Sequence, residues 1–244
     1  MKDAFEKVTF TYVPANTPPP FSYEVTIDCV PEENNLQVQL DMRYTHRDEV
    51  DKEEIIAEGF TGDDDFHWQG NLPTVWLKNL NNHLQHLVII DKQSPVSIQL
   101  WREKSMKKGS PKKLQEWEYL IQELIQAILE QAERELPLQM GIMIVEKNIE
   151  SKIQWLELSF AQFTVKDEKG HEIMSWEYGK ELMELIFMLD FEEADPKEQN
   201  AKTPGIYLDP GDGLWYQVGK GANNPDPKND VISPLQEKIF KLLQ

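Results

Sequence analysis

The chain has a single cysteine, Cys29, among its 244 residues. That scarcity excludes an intramolecular disulfide and any zinc site built from several thiolates. It suits a reducing compartment. The opening Met-Lys-Asp-Ala-Phe-Glu-Lys carries charges of both signs and leads into neither an apolar core segment nor a small-residue cleavage site, so a cytoplasmic location without a secretory signal is expected. Long hydrophobic runs are also missing. The best, Gly141-Ile-Met-Ile-Val145 and Leu182-Met-Glu-Leu-Ile-Phe-Met-Leu189, fall well short of the roughly 20 residues that cross a bilayer. Positive charge is scarce, with 25 Lys+Arg against 43 Asp+Glu and a net charge of −18. Such a surface repels phosphate backbones and anionic lipids, so neither nucleic acid nor membrane is expected as a partner, and a basic protein surface is.

Familiar catalytic signatures are lacking as well. There is no Gly-x-x-x-x-Gly-Lys-Ser/Thr loop, no Gly-x-Gly-x-x-Gly after a strand, no His-Glu-x-x-His and no Gly-x-Ser-x-Gly elbow. Nucleotide hydrolysis, dinucleotide binding and the common hydrolase chemistries lose their sequence support, and no cofactor is expected. A site assembled from residues far apart in the chain stays open.

What is present is a folding chain, 40% hydrophobic and long enough to bury roughly 70–75% of the surface its unfolded form exposes. Strict alternation in Tyr23–Cys29 and Leu36–Tyr44 predicts two strands joined through the turn-rich Pro31-Glu-Glu-Asn-Asn35, with Cys29 on the apolar face beside Tyr23, Val25 and Ile27. Pro18-Pro-Pro20 reads as an extended connector from a strand at 8–13. Three helices are expected, each near a tryptophan. The first follows Trp68 and Pro73, striped by Trp76, Leu77, Leu80, Leu84 and Leu87. The second takes Ser110 as N-cap and Pro111 as first residue, then Trp117, Leu120, Ile121, Leu124, Ile125, Ile128 and Leu129 at helical spacing. The third opens at Ser175 with Tyr178, Leu182, Leu185, Ile186 and Leu189.

Further strands are expected at 96–100, 138–145 and 153–165, the last with a bulge where the apolar parity changes between Phe160 and Phe163. Phe191–Pro204 and 219–230 read as surface loops around a hairpin. Ser233-Pro-Leu-Gln starts a short terminal helix bearing Leu235, Ile239, Leu242 and Leu243. The matching Trp117-Glu-Tyr119 and Trp176-Glu-Tyr178 hint at an internal duplication. The expected fold is α+β, a mostly antiparallel sheet packed by three amphipathic helices plus the terminal helix. Candidate boundaries divide it into 1–92, 93–190 and 191–244, and a single domain is equally compatible with the pattern.

Four features could carry function. In Gly62-Asp-Asp-Asp-Phe-His-Trp-Gln-Gly70, Asp63, Asp65 and His67 could ligate a hard cation, although the spacing is not that of an EF-hand. A solvated turn before a helix, or a protein-binding surface including Asp64 and Trp68, explains the same residues. Acids at 48, 49, 51, 53, 54, 58 and 63–65 face only Arg47 and Lys52 in that stretch. His83 and His86 could share a metal, but a helix-boundary role is simpler. A basic island of Arg102, Lys104, Lys107, Lys108, Lys112 and Lys113 holds six of the 25 cations, with Lys112 and Lys113 placed in a first helical turn where the macrodipole opposes them. It requires either the protein's own acids or an external anion. Finally, pairing Leu208 with Leu214 in a hairpin would set Tyr207 opposite Trp215, either as a binding platform or buried under the terminal helix; Asp209 and Asp212 are first of all turn residues. Together these favour a non-enzymatic, acidic protein-binding module of the inhibitor, adaptor or immunity kind. The alternatives are an enzyme with a dispersed, metal-dependent site near Asp63–His67 and a structural homo-oligomer in which a second copy is the partner.

Overall fold

The computed structural model describes residues 5–15, 17–147, 151–192, 203–226 and 228–242. The fold is α+β with antiparallel sheets. The chain divides into two compact units, Met1–Glu135 and Leu136–Gln244. The reason is strand pairing: the segments at 96–111 and 205–217 each complete a sheet begun far upstream.

In the first unit, β1 (Lys7–Tyr12), β2 (Tyr23–Pro31) and β3 (Asn35–Tyr44) form a meander. A 3-10 turn at Arg47–Glu49 and a short helix α1 (Lys52–Ala57) lead to its fourth strand, β4 (Phe66–Pro73). Then follow α2 (Thr74–Gln85), β5 (Ile89–Ile90), the hairpin β6 (Val96–Arg102) and β7 (Ser105–Pro111), and α3 (Leu114–Gln131); the strand order is β4-β3-β2-β1-β6-β7-β5. Alternation does what it must: Val8, Phe10, Val25, Ile27, Cys29, Val38 and Leu40 are fully buried on one face, each such side chain contributing about 1.5–3 kcal/mol. Burial pushes the Cys29 thiol well up from its ordinary pKa, with the Asp28 carboxylate adding to the shift, as befits an inert core residue.

Three expectations in this unit are corrected. The Pro18–Pro20 stretch is not extended: it is a tight turn, with a cis Pro19–Pro20 bond, in which the Phe21 N–H donates to the Pro18 carbonyl at 3.0 Å. Trp68 lies on a strand, not in a turn ahead of a helix. Ser110 and Pro111 end β7 by pairing with Ile90 and Ile89, so α3 starts only at Leu114 with Lys113 at its N-cap. The Ser110 hydroxyl donates to the Lys92 carbonyl instead of capping the helix.

The turn between β6 and β7 is Glu103-Lys104, both in the left-handed region at φ 49° and 62°. Two such residues make the type I′ turn that suits strand twist, at a cost of roughly 1–2 kcal/mol per non-glycine residue. Replacing the pair by Asn-Gly should therefore raise stability by about 1 kcal/mol, read as a higher thermal midpoint. An unchanged or lower midpoint would contradict the turn assignment.

The second unit has β8 (Leu138–Val145), β9 (Lys152–Ser159), β10 (Thr164–Lys166), β11 (Glu172–Met174), α4 (Trp176–Phe187), β12 (Asp190–Phe191), β13 (Gly205–Asp209), β14 (Tyr216–Gln217), β15 (Ala222–Asn223) and α5 (Ile232–Leu242). Its main sheet runs β11-β10-β9-β8-β13-β14, and β12 pairs with β15. The Ser175 hydroxyl accepts from the Tyr178 N–H, capping α4 as the sequence implies. Between Phe160 and Phe163 the chain turns instead of bulging, because Phe163 is left-handed (φ 53°) and β9 folds back onto β10. The cap of α5 is Asp230, whose carboxylate accepts from the Ser233 N–H at 3.0 Å, with Asn224 taking Val231 and Ile232; Ser233 lies inside the helix. Leu235 and Ile239 are buried with Trp176, Leu182, Ile142 and Leu208. Leu243 and most of the 191–204 loop lie outside the described residues.

Both units follow one course: a four-strand meander, a helix, a short strand, a hairpin placed beside the meander's first strand, and a closing helix. That course aligns α2 with α4 and α3 with α5. Trp117-Glu-Tyr119 and Trp176-Glu-Tyr178 thus sit on non-equivalent helices, and their match is not the one the topology makes.

Candidate functional site

The three adjacent aspartates do not act together. Asp64 accepts from the Thr61 hydroxyl at 2.6 Å, the Thr61 N–H at 2.8 Å and the Arg47 guanidinium. The Thr61 hydroxyl first, and then Arg47, hold its carboxyl below the usual carboxylate range. Asp65 accepts from the Tyr44 N–H at 2.9 Å, which ties β4's approach to the end of β3. His67 faces Asp41 across the β3–β4 pair at 2.6 Å, and its hydrogen bond lowers the Asp41 pKa. Asp63, Asp65 and His67 are therefore not brought together, and among the described residues no three His, Cys, Asp or Glu side chains group as metal ligands. His83 donates through Nδ1 to the Asn79 carbonyl at 2.9 Å and sets its ring against Trp117 at 6.0 Å, while His86 is the C-cap of α2.

Arg47 organises the segment in a way that counting charges misses. Its side chain is only 11% exposed. The guanidinium stacks 4.0 Å from the Tyr44 ring centroid and 4.8 Å from that of Phe60, and donates to the Thr61 carbonyl at 2.9 Å and the Pro20 carbonyl at 3.3 Å. Planarity and weak hydration suit arginine to such a slot. With Arg47 and Asp64 matched to each other, Asp48, Glu49, Asp51, Glu53, Glu54, Glu58 and Asp63 remain exposed, opposed by Lys52. On α1, Ile55 is buried and anchors the helix, whereas Ile56 is 67% exposed. No apolar periodicity signals this arrangement, because α1 is too short to show one.

The basic island runs from the hairpin tip along the edge strand to the N-cap of α3, so Lys112 and Lys113 precede the helix instead of lying in its first turn. Lys104, Lys107, Lys108 and Lys112 are exposed and enter no ion pair among the described residues; Lys113 pairs with Glu116 at 2.7 Å, which relieves its opposition to the α3 dipole.

Tyr207 and Trp215 share a face, but not as cross-strand partners: Tyr207 pairs with Gln217 and Leu208 with Tyr216, two positions from the expected register. The shift arises because Asp209 accepts from the Gly211 and Gly213 N–H groups and Asp212 from that of Leu214, so the turn consumes residues expected in the strand. The Tyr216 hydroxyl donates to Asp212 at 2.6 Å, and that bond pushes its pKa up to about 12. Tyr207 and Trp215 are buried with Met143, Val145 and Trp155, a cluster separate from the one containing the α5 side chains, so neither an exposed platform nor burial under α5 describes them. A Cβ on Gly141 would come within 2.6 Å of Trp215 and 3.0 Å of Trp155, so this glycine makes room for the two indoles. Among the described residues no helix is long and apolar enough to cross a membrane. Comparisons of the chain with protein-family models, curated proteins and solved structures give no match.

Proposed function

We propose that the protein is a non-enzymatic binding module of the inhibitor, adaptor or immunity kind, and that it presents the acidic face of residues 48–63 to a basic protein partner. The observation that carries this reading is Ile56, two-thirds exposed on α1 in a stretch where Asp48, Asp51, Glu53, Glu54, Glu58 and Asp63 are exposed and the one exposed Lys or Arg is Lys52. An exposed apolar side chain in an acidic stretch fits the anatomy of a docking surface: the anchor supplies affinity by desolvation, and the charges steer encounter and orientation. The net charge of −18 extends that steering beyond the contact itself.

The test is affinity capture from a cell lysate at about 0.1 M salt, where charges reach about 10 Å, followed by elution at about 1 M, where they reach about 3 Å. Basic proteins should elute, Ile56→Asp should retain about tenfold less of them, and Glu53→Gln with Glu54→Gln and Glu58→Gln should flatten the salt dependence. Retention that ignores both salt and these substitutions would sink the proposal.

A further inference from the structure

The geometry points to a second docking surface, independent of the acidic face: the outer edge of β7 and the cleft beside it take an extended, acidic segment of a partner protein, carrying one apolar anchor, by strand addition. The edge is open where it matters. β5 covers β7 only at Ser110 and Pro111, leaving Ser105–Lys108 without an outer neighbour among the described residues. In a hairpin closed by a two-residue turn, Arg102/Ser105 and Leu100/Lys107 are the hydrogen-bonded pairs, so the N–H and C=O groups of Met106 and Lys108 point away from β6. The same alternation turns Ser110 outward, and Ser110 is a residue that β5 engages. An added strand would thus continue the line of β5 along the free part of the edge.

Beside that edge lies a cleft of about 490 Å³ whose lining mixes Leu84, Val88 and Leu100 with Arg102, Glu103 and Lys107. Lys107 stands opposite buried Leu100 and so faces the cleft side of the sheet, while Met106 and Lys108 face the other side. Val88 is 54% and Met106 51% exposed, so both flanks of the edge offer apolar contact. The occupant follows from charge. Lys104, Lys107, Lys108 and Lys112 enter no ion pair among the described residues of a chain that is otherwise strongly acidic, which favours carboxylates on the incoming strand. Main-chain bonds supply affinity in such additions, and pockets for alternate side chains supply specificity. Here one apolar side chain enters the cleft, the acidic side chains next to it meet Lys108 on the opposite face, and an acidic side chain two positions along meets Lys107. Edge lysines also discourage indiscriminate pairing, which restricts the edge to acidic strands.

The probe is a pool of fluorescein-labelled ten-residue peptides with Leu or Val at a central position and Asp or Glu on either side, read by fluorescence polarisation against a pool with Lys in place of the acids. The acidic pool should bind saturably below about 1 mM and the basic pool should not. Affinity should fall about tenfold or more in Lys107→Gln/Lys108→Gln, in Val88→Asp and in Lys108→Pro, the last because it removes an outward N–H that β6 does not use. Ile56→Asp should leave this binding unchanged, which separates it from the acidic face, and circular dichroism melting checks that each variant folds. No saturable binding, equal binding of both pools, or full affinity in a folded Lys108→Pro protein would overturn the inference. So would a concentration-dependent dimer that Lys107→Gln/Lys108→Gln dissolves, since the occupant would then be a second copy.

Discussion

Trp117→Ala should cost about 3–5 kcal/mol, the range for truncating a large buried aromatic and a sizeable share of the stability of any single domain. Trp117 is 4% exposed and joins three elements: it rises from the first turn of α3, packs against Phe10 of β1 at 5.9 Å, and meets His83 of α2 edge-on at 6.0 Å. Truncation therefore opens a cavity where two helices and the sheet converge, with no single neighbour free to fill it. Urea titration should show a lower midpoint at unchanged slope, the signature of lost stability without a changed denatured state. Hydrogen exchange should place the loss in β1, α2 and α3. Trp117→Phe, which keeps a ring against Phe10 and His83, should recover more than half of it. A loss below about 1 kcal/mol would mean that the surrounding side chains collapse onto the site, and that Trp117 does not hold the junction.

The elements that could be read from sequence are those whose periodicity is complete. In β2 and β3 alternate residues Val25, Ile27, Cys29, Leu36, Val38, Leu40 and Met42 are apolar and buried, and in α3 the stripe from Trp117 to Ile128 is buried throughout. β4 escaped because its apolar series, Phe66, Trp68, Gly70 and Leu72, is broken by a glycine at a core-facing position. A Cβ on Gly70 would fall within 2.4 Å of the Trp68 ring, so the indole lies over its own strand and fills the place of the missing side chain. β7 escaped because its alternation is mostly polar, its outer edge being open, and because Glu103-Lys104 resembles no favoured hairpin turn. α1 is six residues long, too short for a helical period to declare itself.

For the candidate sites, residue types were legible and roles were not. Three consecutive aspartates announce negative charge, but only the folded chain decides that Asp64 serves Arg47 and Thr61, that Asp65 serves the Tyr44 N–H, and that Asp63 is left to solvent. The six cations at 102–113 were visible as a cluster, whereas the place of Lys107 and Lys108 on an open edge depends on a hairpin whose turn carries no signal. Tyr207 and Trp215 share a face as expected, but neither an exposed platform nor burial under the terminal helix describes them, since Met143, Val145 and Trp155, which cover them, come from strands distant in the chain.

Arg47→Ala should lower stability at pH 7 by about 3 kcal/mol, the low end for removing one partner of a largely buried ion pair. The loss combines charge-assisted hydrogen bonds to Asp64 and the Thr61 carbonyl with stacking on Tyr44 and Phe60. Arg47→Lys should recover only part of it, because an ammonium keeps the charge but cannot fill the planar slot between the rings. The pH dependence separates these contributions. Asp64 titrates below the usual carboxylate range in the folded protein, so its contribution is present above the unfolded value of about 3.9 and is lost as pH falls through the lowered one. The gap between wild type and Arg47→Ala should therefore narrow in acid, leaving the stacking and carbonyl contacts, while the gap between wild type and Arg47→Lys should change less. Urea midpoints for the three proteins at pH 7 and at a pH below the usual carboxylate range measure this directly. If the gap to Arg47→Ala stays constant, the ion pair contributes nothing, and Asp64 must be counted with the exposed carboxylates of the acidic face.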